Sequence, residues 1–189
     1  MYDALLVRHC APTLTGLKTG SLFSCPFGSR EAMLTCLLRW NRLLNVHGLH
    51  IFPLHTRKGR TLIYICSLPS LKQDLEHKQA AELLTGLNYP LPCPYRCIAH
   101  LMEKLTDTSS FPHEIGLFLG YPPEDVLGFI RDPAACKFSG CWKVYGDVSA
   151  AQIRFESYHS CTQICCSLLT GGAGLEQLAA ASSYTVRNS

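Results

Sequence analysis

His113 and Glu114 stand side by side, and an imidazole next to a carboxylate can share general acid-base work or bind a metal. Consecutive side chains of a regular strand point to opposite faces, so both reach one site only where the backbone is irregular, as after Pro112. The pattern is not His-Glu-x-x-His, because Leu117 occupies the place of the second histidine. The rival role for either residue is structural, as a turn cap or an internal partner. A second group is His9, Cys10 and Lys18, an imidazole beside a thiol followed by a lysine flanked by glycines, which can bind an anion or lower the pKa of the thiol. The rival reading leaves Lys18 solvated and Cys10 packed. Lys143 and Tyr145 alternate with Trp142 and Val144, so a strand there would put the polar pair on one face, where Lys143 can meet an anionic ligand or lie along an aromatic ring.

Other patterns carry less. Cys93-x3-Cys97 and Cys161-x3-Cys165-Cys166 lack the short knuckles of a zinc ribbon, and most of these thiols fall on expected helices, where packing explains them. Gly16-Leu-Lys-Thr-Gly-Ser21 lacks the order of a phosphate loop, and Gly171-Gly-Ala-Gly174 follows a helix rather than a strand, which argues against a dinucleotide site. Glu124 and Asp125 fall in the first turn of an expected helix, where their charge suits the dipole and repels phosphate. Arg57-Lys-Gly-Arg60 reads as a solubilising turn, and nucleic acid is not an expected partner.

The elements that must hold these residues follow from apolar spacing and breakers. Residues 10 to 28 contain Pro12, Gly16, Gly20, Pro26 and Gly28 and are expected to be looped or extended, with room for a short strand. Ser29 predicts an N-cap, with Met33, Leu34, Leu37, Leu38 and Leu44 as one broad apolar face up to Gly48. Leu49 to Leu68 reads as a hairpin turning at Thr56–Arg60, followed by one helix from Ser70, spaced as a capping box with Gln73, to Gly86. Pro94 opens a helix to the turn at Thr106–Ser110, and Ile115–Leu119 is expected to be an interior strand. A short helix from Pro122 to Ile130, a strand over Trp142–Tyr145, and a long helix capped by Asp147 or Ser149 and running to Leu169 complete the core. The inward row of that helix would be Phe155, Tyr158, Thr162, Cys165 and Leu169, and a last short helix would span Leu175 to Ala181. The expected fold is mixed α/β, with α+β as the alternative, and about four main strands including one hairpin, covered by amphipathic helices. It forms a single domain over residues 1–181, with 182–189 as a disordered tail.

The 189 residues, 47% hydrophobic and 16% charged, support a substantial core, and a net charge of +3 marks no dedicated nucleic-acid binder. The N-terminus lacks a secretory pattern, and no segment reaches the roughly 18 apolar residues of a membrane span. Eleven cysteines at irregular spacing fit reduced thiols in a cytoplasmic protein better than a disulfide framework. Cys36, Cys97 and Cys165 are expected to be packed, and Cys10, in a segment rich in Pro and Gly, to be the accessible and reactive one.

The stretch Phe111-Pro-His-Glu-Ile-Gly-Leu-Phe-Leu-Gly-Tyr-Pro-Pro-Glu-Asp-Val-Leu-Gly-Phe-Ile130 resembles the signature of a bacterial family catalogued as domain of unknown function 3793. His9-Cys-Ala-Pro-Thr-Leu-Thr-Gly-Leu-Lys18 is similar to its opening motif, and Gly140-Cys-Trp-Lys-Val-Tyr145 to its later tryptophan motif, with Cys141 where the family pattern has Tyr. The resemblance implies an anaerobic bacterial setting and a loose association with iron and flavodoxin-linked metabolism, and it brings no catalytic residue or cofactor. Two function classes result. One is a pocket protein, with enzymatic activity left open, binding a small anionic metabolite or cofactor through Lys18, His113 and Lys143. The other is a noncatalytic interaction module for a redox or iron-handling partner.

Overall fold

Leu6, Val7, Cys10, Ala11 and Leu14 recur on one helical face, and the N-terminal segment is a helix, α1 (Tyr2–Leu14), in the computed structural model, which describes residues 2–106 and 111–180. The expectation of a looped chain from residue 10 is thus corrected as far as Leu14. Pro12 sits in the last turn, where its missing N–H removes one i to i−4 hydrogen bond of the helix, and its carbonyl accepts the Lys18 N–H at 3.0 Å. The polar tail expected from residue 182, and most of the turn expected at Thr106–Ser110, lie outside the described residues. The chain divides into two compact units, Met1–Leu68 with Tyr158–Ser189, and Pro69–Ser157.

In the first unit, β1 (Gly20–Pro26), β2 (Leu49–Arg57) and β3 (Arg60–Ser67) form an antiparallel sheet in the order β1-β3-β2. The expected hairpin is β2-β3, closed by Lys58 and Gly59, whose φ angles of 50° and 72° are those of the tight two-residue turn that suits twisted strands. Its register shifts between Pro53 and His55, where the proline has no N–H to give to the ladder. Helix α2 (Arg30–Leu44) is capped as expected, the Ser29 hydroxyl accepting the Ala32 N–H at 3.1 Å. Its buried row is Cys36, Leu37, Trp40 and Leu44, whereas Leu34 and Leu38 are 45% and 72% exposed, so the inward face is rotated from the expected one. Trp40 sets that rotation, its ring fully buried and its N–H donated to Asp3 Oδ1 at 2.7 Å. Asn41 fastens α2 to the edge strand β2, accepting the Ile51 N–H and donating to the Ile51 carbonyl, both at 2.9 Å. Cys165, Leu175, Leu178 and Ala179, from the C-terminal end of the chain, join this core.

In the second unit the helix expected from Ser70 to Gly86 is two helices, α3 (Leu68–Glu76) and α4 (Lys78–Gly86). His77 separates them with ψ at 132°, and Ser70 lies inside α3 rather than at its cap. Helix α5 (Pro94–Thr106) buries Cys97, Ile98 and Leu101. The strand expected at 115–119 is instead a helical turn, α6 (Ile115–Phe118). Its i to i+3 bonds begin with the Ile115 N–H to the Pro112 carbonyl at 3.2 Å, and a five-residue apolar run buried on every side has no periodicity to reveal this. Then follow α7 (Pro123–Arg131) and a short antiparallel hairpin, β4 (Phe138–Ser139) with β5 (Lys143–Val144). Helix α8 (Val148–Thr170) is capped by Asp147, whose Oδ1 accepts the Ala150 N–H at 3.0 Å, and runs from the second unit into the first, before α9 (Leu175–Ala180). The fold is mixed α/β, and no helix among the described residues is long and apolar enough to cross a membrane.

Candidate ligand-binding site

An α-helix turns about 100° per residue, so α1 sends His9 and Cys10 to different sides. Cys10 shares the buried row with Leu6 and Leu14 and is 0% exposed, which corrects the expectation of an accessible thiol. Burial pushes its pKa far above the ordinary range, with the nearby Lys18 ammonium pulling the other way. His9 is exposed and stacks on Phe23, ring centroids 5.7 Å apart and 13° from parallel. Lys18 Nζ lies 5.9 Å from the centre of the Tyr158 ring.

The other thiols follow the same physics. Burial raises Cys36 and Cys97 to about 11 and Cys165 to about 12, the neighbouring Cys161 adding to the last. All eleven cysteines are free, and Cys141 alone is exposed. Among the described residues, no group of three or more His, Cys, Asp or Glu side chains is arranged to hold a metal.

His113 and Glu114, adjacent in sequence, part company in the irregular stretch before α6. Glu114 is 6% exposed and accepts hydrogen bonds from the Tyr89 hydroxyl and Lys104 Nζ, both at 2.9 Å. Burial alone would raise its pKa, but the Lys104 and Tyr89 hydrogen bonds outweigh that and hold the carboxyl below its ordinary value. Burial, with the Glu114 charge beside it, pushes the Tyr89 hydroxyl the other way, well above its ordinary range. Both of these hydrogen bonds fall on Glu114 Oε1.

His113 turns outward, its ring edge-on to Phe129 at 4.9 Å. Lys143 approaches that same ring, Nζ 5.5 Å from its centre, and donates one hydrogen bond to the Pro133 carbonyl at 2.7 Å. An ammonium has three N–H donors, so it retains capacity for a ligand.

The wall between these groups is built by Asp125. Its Oδ2 accepts the Trp142 indole N–H at 2.7 Å, and its Oδ1 the backbone N–H groups of Tyr145 and Gly146 at 2.7 and 2.8 Å. Trp142 is thereby fixed, stacked on Tyr121 at 4.7 Å and edge-on to Phe155 at 4.5 Å. Gly128 allows Tyr145 to lie against α7, since a Cβ there would stand 2.3 Å from the Tyr145 ring. The result is a cleft of about 380 Å³ lined by Phe111, His113, Tyr121, Val126, Phe129, Cys141, Trp142 and Lys143. Its walls are mostly aromatic and aliphatic, and its charged or polar groups include the His113 imidazole, the Lys143 ammonium and the Asp125 carboxylate, the last with both oxygens already hydrogen-bonded.

Of the six residues singled out from sequence, His113 and Lys143 meet in this cleft, and Glu114 does not line it. His9, Cys10 and Lys18 belong to the first unit. Phe129, Tyr121, Asp125 and Cys141 were not among the six. A legible signal existed for two of them, because Asp125 and Phe129 are four residues apart and share one face of a helix.

A family model described as a protein of unknown function (DUF3793) matches residues 6–179. No curated protein and no solved structure matches the chain.

Proposed function

The chain belongs to the DUF3793 family, and we propose that it binds a small, largely apolar anion, an aromatic carboxylate or phosphate in type, in the cleft beside Phe129. The observation that carries this reading is that His113 and Lys143, from two separate motifs, pack on one ring and line one apolar cavity. Phe129 and Trp142 both line the cavity and offer ring faces or edges to an aromatic body, whose charge is met by Lys143, an interaction that strengthens where the cleft excludes water. Eleven free thiols favour a reducing compartment, so we place this activity in the bacterial cytoplasm. No reaction is assigned.

The dye 8-anilinonaphthalene-1-sulfonate carries an aromatic body and one anion, and N-phenyl-1-naphthylamine is its uncharged counterpart. The folded protein is expected to bind the sulfonate about tenfold more tightly, a difference of ~1.4 kcal/mol. Lys143→Met should bring the two dyes to parity, and Phe129→Ala should weaken both. Equal affinity for the dyes in the unsubstituted protein, or insensitivity to Lys143→Met, would overturn the reading.

A further inference from the structure

Helix α2 turns Leu34 and Leu38 outward, at 45% and 72% exposure, while Cys36, Leu37, Trp40 and Leu44 face the core. The two leucines are four residues apart and so adjoin on the helix surface. Glu31 stands three residues before the first and Arg42 four after the second, both exposed, so one stripe of about 17 Å reads acid, leucine, leucine, base. Among the described residues neither Glu31 nor Arg42 makes an ion pair, whereas the neighbouring Arg39 is neutralised by Asp3.

Exposed leucines scattered singly need no explanation, but this stripe is its own complement. Let a second copy of α2 lie against it antiparallel, about a two-fold axis that passes between Cys36 and Leu37. Glu31 then faces Arg42 of the second copy, Arg42 faces Glu31, and Leu34 lies beside Leu38 on each side of the axis. A parallel pairing would instead set acid on acid and base on base, which costs affinity. The charges therefore choose both the partner and its direction: a different helix would need the same pattern reversed, and α2 already supplies it.

We propose that this face docks the same face of a second copy of the chain, forming a weak antiparallel α2–α2 dimer. A single helix pair covers less than the roughly 1,200 Å² at which standard interfaces begin, so the association is transient, with a dissociation constant on the order of 100 μM. The stripe belongs to the first unit and Phe129 to the second, so the inference is independent of the anion reading of the aromatic cleft.

Sedimentation equilibrium of the full chain under a thiol reductant, from ~10 μM to ~1 mM, measures the association. Leu38→Lys, at a position that is 72% exposed, should leave the circular dichroism spectrum unchanged and weaken dimerisation at least about tenfold. Glu31→Arg and Arg42→Glu should each weaken it similarly, because each sets like charges opposite one another at both ends of the pair. Mixing those two variants in equal amounts should restore the association, since in the mixed dimer every charge again faces its opposite. A chain that stays monomeric at the highest concentration would leave the stripe to a foreign partner and overturn the proposal. Association that survives Leu38→Lys, or that the mixture fails to restore, would overturn it as well.

Discussion

The Trp142 indole N–H donates to Asp125 Oδ2 at 2.7 Å, joining α7 to the β4-β5 hairpin across seventeen residues of sequence. With the two backbone N–H groups on Oδ1, it makes one buried carboxylate the fastener of the whole aromatic wall. Asp125→Asn keeps the shape but turns an amide N–H₂ or a single oxygen toward three donors. It should destabilise the protein by about 2–4 kcal/mol, more than an exposed substitution such as Glu124→Gln. Urea unfolding checks this, and a loss below about 0.5 kcal/mol would contradict the fastener.

Gly128→Ala should cost about 1–3 kcal/mol, because the added methyl meets the Tyr145 ring at 2.3 Å and either the ring or the helix must shift. Gly116→Ala is expected to be milder in stability but to disturb dye binding, since its methyl would press on Val126 at 2.8 Å and Tyr121 at 3.1 Å. Unfolding midpoints and dye titrations of the two variants should therefore rank them in opposite orders.

The Glu114 carboxyl titrates lower in the folded protein than its ordinary value of 4.5, so its contribution is present above that pH and lost as pH falls through the folded value. Glu114→Gln should be less stable than the unsubstituted protein at pH 7, by about 1–3 kcal/mol given that Lys104 is partly exposed. The gap should narrow steadily below about pH 4.5. Unfolding at several pH values would show a constant gap if the carboxylate were unimportant.

Cys141, not Cys10, should be alkylated first in the folded protein, and faster than the buried Cys10, Cys36, Cys97 and Cys165 by at least about tenfold. Because Cys141 lines the aromatic cleft, the sulfonate dye should slow its reaction. Mass mapping of an alkylation time course with and without dye reads both effects.

The sequence was legible where a local signal matched its setting. Ser29 and Asp147 cap the helices their spacing marks, and Lys58-Gly59 closes the hairpin that two β-rich runs frame. It misled where tertiary burial removed the signal. Ile115–Phe118 is buried all round, so a helical turn and a strand look alike there. Breakers after Cys10 hid the regular spacing of Leu6, Cys10 and Leu14, and that helix is what withdraws the Cys10 thiol from solvent. The site was half legible for a similar reason. His113 and Lys143 carry recognisable chemistry, and i, i+4 spacing puts Asp125 and Phe129 on one helix face, but that spacing does not tell that Phe129 is the ring the two share or that Asp125 meets Trp142.

The most direct measurement is a ¹H–¹⁵N chemical-shift titration with 8-anilinonaphthalene-1-sulfonate. Binding in the aromatic cleft should move the Trp142 indole N–H and the backbone signals of Gly116 and Cys141, with Lys143→Met needing about tenfold more dye for the same shifts. Shifts concentrated instead on Arg30, Met33 and His55, which line a separate hollow of about 590 Å³ in the first unit, would contradict the account.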